Sequence, residues 1–148
     1  MHEKNTEYYE YVWDILDHSN FKSMDGFIQH GKVSCADHSK AVSYTSYKLC
    51  KKLKLDYESV ARAGLLHDYF LYDWHKFVSF SRFHAFTHPK VSLKNAEKDF
   101  ELNDRERDII KKHMWPMTPS FPKYAESYVV TIVDKYYSTL EIFGKKYK

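Results

Sequence analysis

Nine of the 148 residues are histidine, the commonest metal ligand and the only side chain whose unperturbed pKa falls near neutrality. What matters is which of them face inward and which carboxylates accompany them. His67 and Asp68 stand together directly after Ala63-Gly64-Leu65-Leu66. Asp134 falls among Val130, Val133 and Tyr137, on a face that should be buried. An ionised carboxylate in such surroundings is destabilising by several kcal/mol unless paired or metal-bound, so both acids need a cation. His38, His88 and His113 complete the candidates. Imidazole and carboxylate together suit a divalent ion of the iron, manganese or zinc type. The plainer readings are a buried ion-pair network for His38, His67, Asp68 and Asp134, and capping or core histidines at His88 and His113. The cost of unpaired buried charge favours the metal.

The elements that must position these groups are helices. Only four glycines and four prolines are present, and the frequent turn signals of an all-β chain are missing. Tyr8, Val12, Ile15 and Leu16 mark an amphipathic helix over Glu7 to His18, and a second, short helix is expected from Phe21 to Gln29, ending at Gly31. His38, Val42, Thr45, Leu49 and Leu53 advance in steps of three and four, which puts His38 on the inward stripe of a helix over Cys35 to Leu53. The stretch Tyr57 to Phe70 reads as one helix carrying both His67 and Asp68.

Tyr72 to Phe86 is aromatic and irregular and reads as a loop with room for one helical turn. His88-Pro89 then opens a helix, since proline suits the first helical position. Asn103 with Glu106 forms a capping-box pattern that starts a helix bearing Ile109, Ile110 and His113. Pro116, Pro119 and Pro122 make a loop after Trp115. A last helix runs from about Tyr124 to Phe143, stopping at Gly144. Its VVTIV segment is β-branched, but the long uninterrupted run favours helix.

The length suits one domain over residues 1–148, with a core at about 31–143, and the 43% hydrophobic content is too high for a disordered chain. Twenty-three basic against twenty acidic residues are spread along the chain, too diffusely for a nucleic-acid duplex or a membrane surface. With no long apolar run and a charged beginning, a cytoplasmic location is expected. Cys35 and Cys50 read as core or surface thiols, with Cys35 a lesser candidate ligand. His2, His18 and His30 read as surface residues. His75 and His84 fall in the aromatic loop, and His84 is the weaker candidate for substrate contact.

His38, then His67-Asp68 within AGLLHD, then Asp134 within IVDK, resembles the HD-domain metal-dependent phosphohydrolase superfamily over about Gly31 to Leu140. His88 and His113 match the extra histidines of its two-metal branch, H...HD...H...H...D. The resemblance implies an all-α, compact helical bundle of about six to eight helices. It also implies that His38, His67, Asp68 and Asp134 hold one ion, while Asp68 bridges to a second held by His88 and His113. The ions would be iron or manganese first, with zinc, cobalt, nickel or magnesium as substitutes. Asp68 and Asp134 become the catalytic residues, and the substrate a phosphorylated small molecule or nucleotide. A minority branch of the superfamily implies a diiron oxygenase instead, and the rival from outside enzymology is an idle domain that binds a nucleotide or metal as a sensor. One position departs from the pattern: many two-metal phosphodiesterases place a lysine three residues after the Asp of the dipeptide, where this chain has Leu71. Arg82, His84, Lys90, Lys94 and Lys135 are the remaining groups for meeting a phosphate.

Overall fold

The computed structural model describes residues 5–72 and 81–144, with the backbone alone described at 81–86. Local chemistry sets the helix starts. Asn5, Ser34 and Asp56 each accept a hydrogen bond from the backbone N–H three residues on, at 3.0, 3.0 and 3.1 Å, satisfying donors that a first helical turn leaves orphaned. They open α1 (Thr6–Leu16), α3 (Cys35–Leu53) and α4 (Tyr57–Leu66). Asn103 and Glu106 form the reciprocal capping box, at 2.7 and 2.8 Å, that opens α6 (Asp104–Lys112). α2 (Ser19–Ser23), α5 (Ser81–Asp99) and α7 (Ala125–Ile142) complete seven α-helices among the described residues, and the fold is all-α. None of these helices is long and apolar enough to cross a membrane.

Four expectations need correction. The second helix does not reach Gln29: it ends at Ser23, a 3-10 turn covers Met24–Gly26, and a two-stranded hairpin follows. Its strands β1 (Ile28–His30) and β2 (Val33–Ser34) pair antiparallel around Gly31, whose φ of +60° suits a residue without a side chain. α4 stops at Leu66, leaving His67 as its C-cap and Asp68 in the turn beyond. After Leu66 the chain tightens into a turn, the Tyr69 N–H bonding the Leu66 carbonyl three residues back, while Asn95 donates to the Tyr69 and Phe70 carbonyls and Leu71 at φ +63° turns the chain away. His88-Pro89 does not open a helix, since α5 begins at Ser81 and carries Pro89 inside it. Finally, the inward stripe of α3 is set by Cys35, Ser39, Ser43, Ser46 and Cys50 beside His38 and Val42, while Leu49 and Leu53 are exposed.

Small residues on that stripe permit close helix contact. A Cβ added at Gly64 would stand 2.6 Å from the Ser43 Cα, so α3 and α4 touch backbone to backbone there. Ser43 Oγ also donates to the Ala61 carbonyl at 2.6 Å and pairs with Tyr8 Oη at 2.7 Å, tying in α1. The crossing sets where the end of α4 lies relative to α3, and hence where His67 meets His38. Gly64→Ala should therefore lower stability by about 1–3 kcal/mol, the usual penalty for overpacking. Equilibrium urea unfolding checks this, and an unchanged midpoint would show that the crossing yields without cost.

Candidate metal centre

Five elements deliver six side chains to one place. His38 comes from the first turn of α3, His67 and Asp68 from the end of α4, His88 from α5, His113 from the C-cap of α6 and Asp134 from α7. All six are buried, the most exposed being Asp134 at 6%. His38, His67, Asp68 and Asp134 each offer a donor atom within 4.8 Å of the others, and so do Asp68, His88 and His113. Asp68 is common to both groups and divides its oxygens between them. Its Oδ2 lies 3.3 Å from His67 Nε2 and 3.5 Å from His38 Nε2. Its Oδ1 lies 3.1 Å from His88 Nε2 and 3.3 Å from His113 Nε2. Asp134 Oδ1 faces His38 Nε2 at 2.8 Å and His67 Nε2 at 3.2 Å.

Outward-facing bonds fix the rings. His67 Nδ1 donates to the Gly64 carbonyl at 2.6 Å, and His113 Nδ1 to the Ile110 carbonyl at 2.8 Å. His38 Nδ1 donates to Glu141 Oε2 at 2.5 Å. Each Nε2 is thereby turned into the cluster, the arrangement in which an imidazole ligates through one nitrogen and is oriented through the other.

The electrostatics test whether a cation fits. Burial alone would raise both carboxyls, but the charges and hydrogen bonds of the imidazoles hold Asp68 and Asp134 well below the ordinary carboxylate range. Burial also depresses His38, yet the hydrogen bonds it donates to Asp134 and Glu141 overcome it and lift the ring to about 9. His67 is raised in the same sense by Asp68 and Asp134 against its burial. His113 differs: burial, with His88 and His67 alongside, keeps it below its ordinary value and hence neutral. Its Nδ1–H is committed to Ile110, so its Nε2 lone pair faces inward, 2.8 Å from His88 Nε2 and 3.3 Å from an ionised Asp68 oxygen. Two lone pairs facing each other in a buried site repel, and a cation between them removes the repulsion. The donor set thus fits a divalent ion of the nitrogen- and oxygen-binding class.

The remaining candidates lie at varying distance from this centre. Lys135 is half-buried and donates from Nζ to the His113 carbonyl at 3.1 Å. Lys90 and Lys94 are exposed on α5. The side chains of Arg82 and His84 lie outside the described residues, as do His2 and His75. His18 caps α2 through Nδ1 at 3.1 Å. Cys35 is buried, donates from Sγ to Gln29 Oε1 at 3.2 Å, and joins neither group of potential ligands.

Sequence reasoning missed two polar residues here and misplaced a third. Gln29, buried on β1, donates from Nε2 to Asp68 Oδ2 at 2.9 Å. Glu141, buried at the end of α7, backs His38. His30 is not simply a surface residue, because its Nδ1 meets Glu141 Oε1 at 3.0 Å. A signal existed for Glu141, which falls two helical turns beyond Asp134 on the same face. Gln29 gave none once its segment was read as helix.

The raised His38 and His67 predict proton release on metal binding, since a ligating nitrogen must be unprotonated. Near pH 7 both rings of the metal-free protein carry a second proton, so metal affinity should climb as pH rises toward about 9. The heat of Mn²⁺ or Zn²⁺ binding should then depend on the buffer's ionisation enthalpy. A buffer-independent heat would mean that both rings are already neutral.

No curated protein and no solved structure matches this chain significantly. The HD domain family does match, over residues 35–138, a span that runs from the start of α3 into α7 and contains all six buried side chains. The chain belongs to the HD domain family, whose members are generally metal-dependent hydrolases.

Proposed function

We propose that this protein is a metal-dependent phosphohydrolase that holds two divalent ions, iron or manganese by preference, and acts on a phosphomonoester, a phosphodiester or a nucleotide. The observation that carries the proposal is the division of Asp68, whose two oxygens face two separate histidine groups. His38, His67, Asp68 and Asp134 would hold one ion, and Asp68, His88 and His113 the other. Such ions supply a water acidified toward a pKa of about 7 and neutralise charge on phosphoryl oxygens.

The chain's own groups do the rest. Asp68 sets the separation of the two halves, because one carboxylate can span only a short gap. Asp134, ionised across the neutral range, is acceptor-only and orients the attacking water by taking its hydrogen bond. Leu71, the departure from the phosphodiesterase pattern, packs against the hydrophobic core and presents no cation to the substrate. Lys135 fills that role in this proposal. It follows Asp134 on α7, and the charges of Asp134 and Asp68 partly offset the lowering of its pKa by burial.

Two outcomes are expected. Asp68→Ala should lose metal and activity together, measured by elemental analysis of chelator-free protein and by phosphate release from aryl phosphates and nucleotides. A metal-replete, active variant would overturn the assignment. Lys135→Ala should keep its metal but raise KM by about tenfold or more, the loss expected for a hydrogen bond to a charged group. An unchanged KM would remove Lys135 from the substrate site.

A further inference from the structure

The imidazoles of the centre are not backed alike. His67 and His113 rest against backbone carbonyls, whereas His38 rests against a carboxylate. Glu141 is conspicuous by position: its side chain is fully buried, and it lies in the last turn of α7, where the helix dipole disfavours an anion. Buried negative charge persists there only through specific donors. His38 supplies one at 2.5 Å and His30 another at 3.0 Å, so each carboxylate oxygen meets a ring nitrogen.

The hairpin holds Glu141 through its backbone as well. A Cβ at Gly31 would stand 2.9 Å from the Glu141 carbonyl oxygen, so the turn presses directly on the end of α7. The residue before His30 reaches the other way, Gln29 donating to Asp68 Oδ2 at 2.9 Å. Both bracing contacts fall on the half of the centre formed by His38, His67, Asp68 and Asp134. That half also has the larger anionic donor set, two carboxylates against the single shared one of the His88 and His113 half.

We propose that Glu141, clamped by the β1–β2 hairpin, is a positioning residue that orients His38 and makes the His38 half the tighter of the two metal sites, filled first. This rests on the two-ion reading above. A carboxylate behind the ring fixes its tautomer and raises the basicity of the ligating nitrogen, and removing such a partner typically weakens metal binding about 10–100-fold.

Titration of the metal-free protein with Co²⁺, followed by visible absorption, tests it. The wild type should bind in two steps. Glu141→Ala should weaken the first by about 10–100-fold and change its Co²⁺ spectrum, leaving the second step nearly unaltered. Glu141→Gln keeps an acceptor oxygen without the charge and should fall between Glu141→Ala and the wild type. His30→Ala, which frees one side of the carboxylate, should produce a smaller loss of the same kind. Should Glu141→Ala fail to fold, Glu141→Gln and His30→Ala carry the test, and wild-type affinity and spectrum in both would overturn the inference. So would two equal steps in the wild type, or equal weakening of both steps with a lowered melting temperature of the metal-free variant. A wild type that binds no Co²⁺ overturns the metal reading itself, and this inference falls with it.

Discussion

Two ionised carboxylates at the centre of a helical bundle dictate much of what surrounds them. In an apolar interior neither Asp68 nor Asp134 could keep its charge alone, and both are encircled by imidazole nitrogens at 2.8–3.5 Å. The imidazoles in turn must be turned inward, which commits the Gly64 and Ile110 carbonyls and the Glu141 carboxylate as their outer partners. Gly64 serves twice. Its missing side chain lets α3 and α4 meet, and its carbonyl, no longer needed by a helix that stops at Leu66, orients His67.

Ion pairs elsewhere hold the scaffold without entering the centre. Arg62 binds Asp14 through both terminal nitrogens, at 2.7 and 3.0 Å, and joins α4 to α1. Arg105 reaches Asp56 and Glu126 at 3.1 and 3.2 Å, linking α6 to the start of α4 and to α7. These pairs are partly exposed and individually weak, but they join the helices that position His67, Asp68, His113 and Asp134.

Much of this was legible in the sequence. The capping box at Asn103 and Glu106 is local chemistry and needs no tertiary knowledge, and the limits of α3 and α7 follow from periodicity and from Gly144. Asp68 and Asp134 stood out because charge on an apolar face demands a partner, whereas His88 and His113 stood out only through the resemblance to the two-metal branch. What could not be read depends on contacts between distant segments. Ile28 to Ser34 is too short to show a strand period and pairs only because Gly31 permits the turn. The end of α4 is followed by a tightened turn held by Asn95 of α5 rather than by a helix-stopping residue. Pro89 sits inside α5, where its buried surroundings override the preference of proline for a helix start. Glu141 acquires its meaning only when the hairpin, from the other end of the chain, is laid against it.

That geography has a consequence for what can be borrowed from this protein. In a zinc finger the ligands sit within a short loop and its neighbouring helix, so the metal site travels with a small peptide. Here His38 and Asp134 meet across a sequence separation of 96 residues, and no single helix or helix end supplies more than two of the six side chains. The centre is therefore not a transplantable motif. It is a property of the assembled bundle, and grafting it onto another protein would require moving the helices rather than the residues.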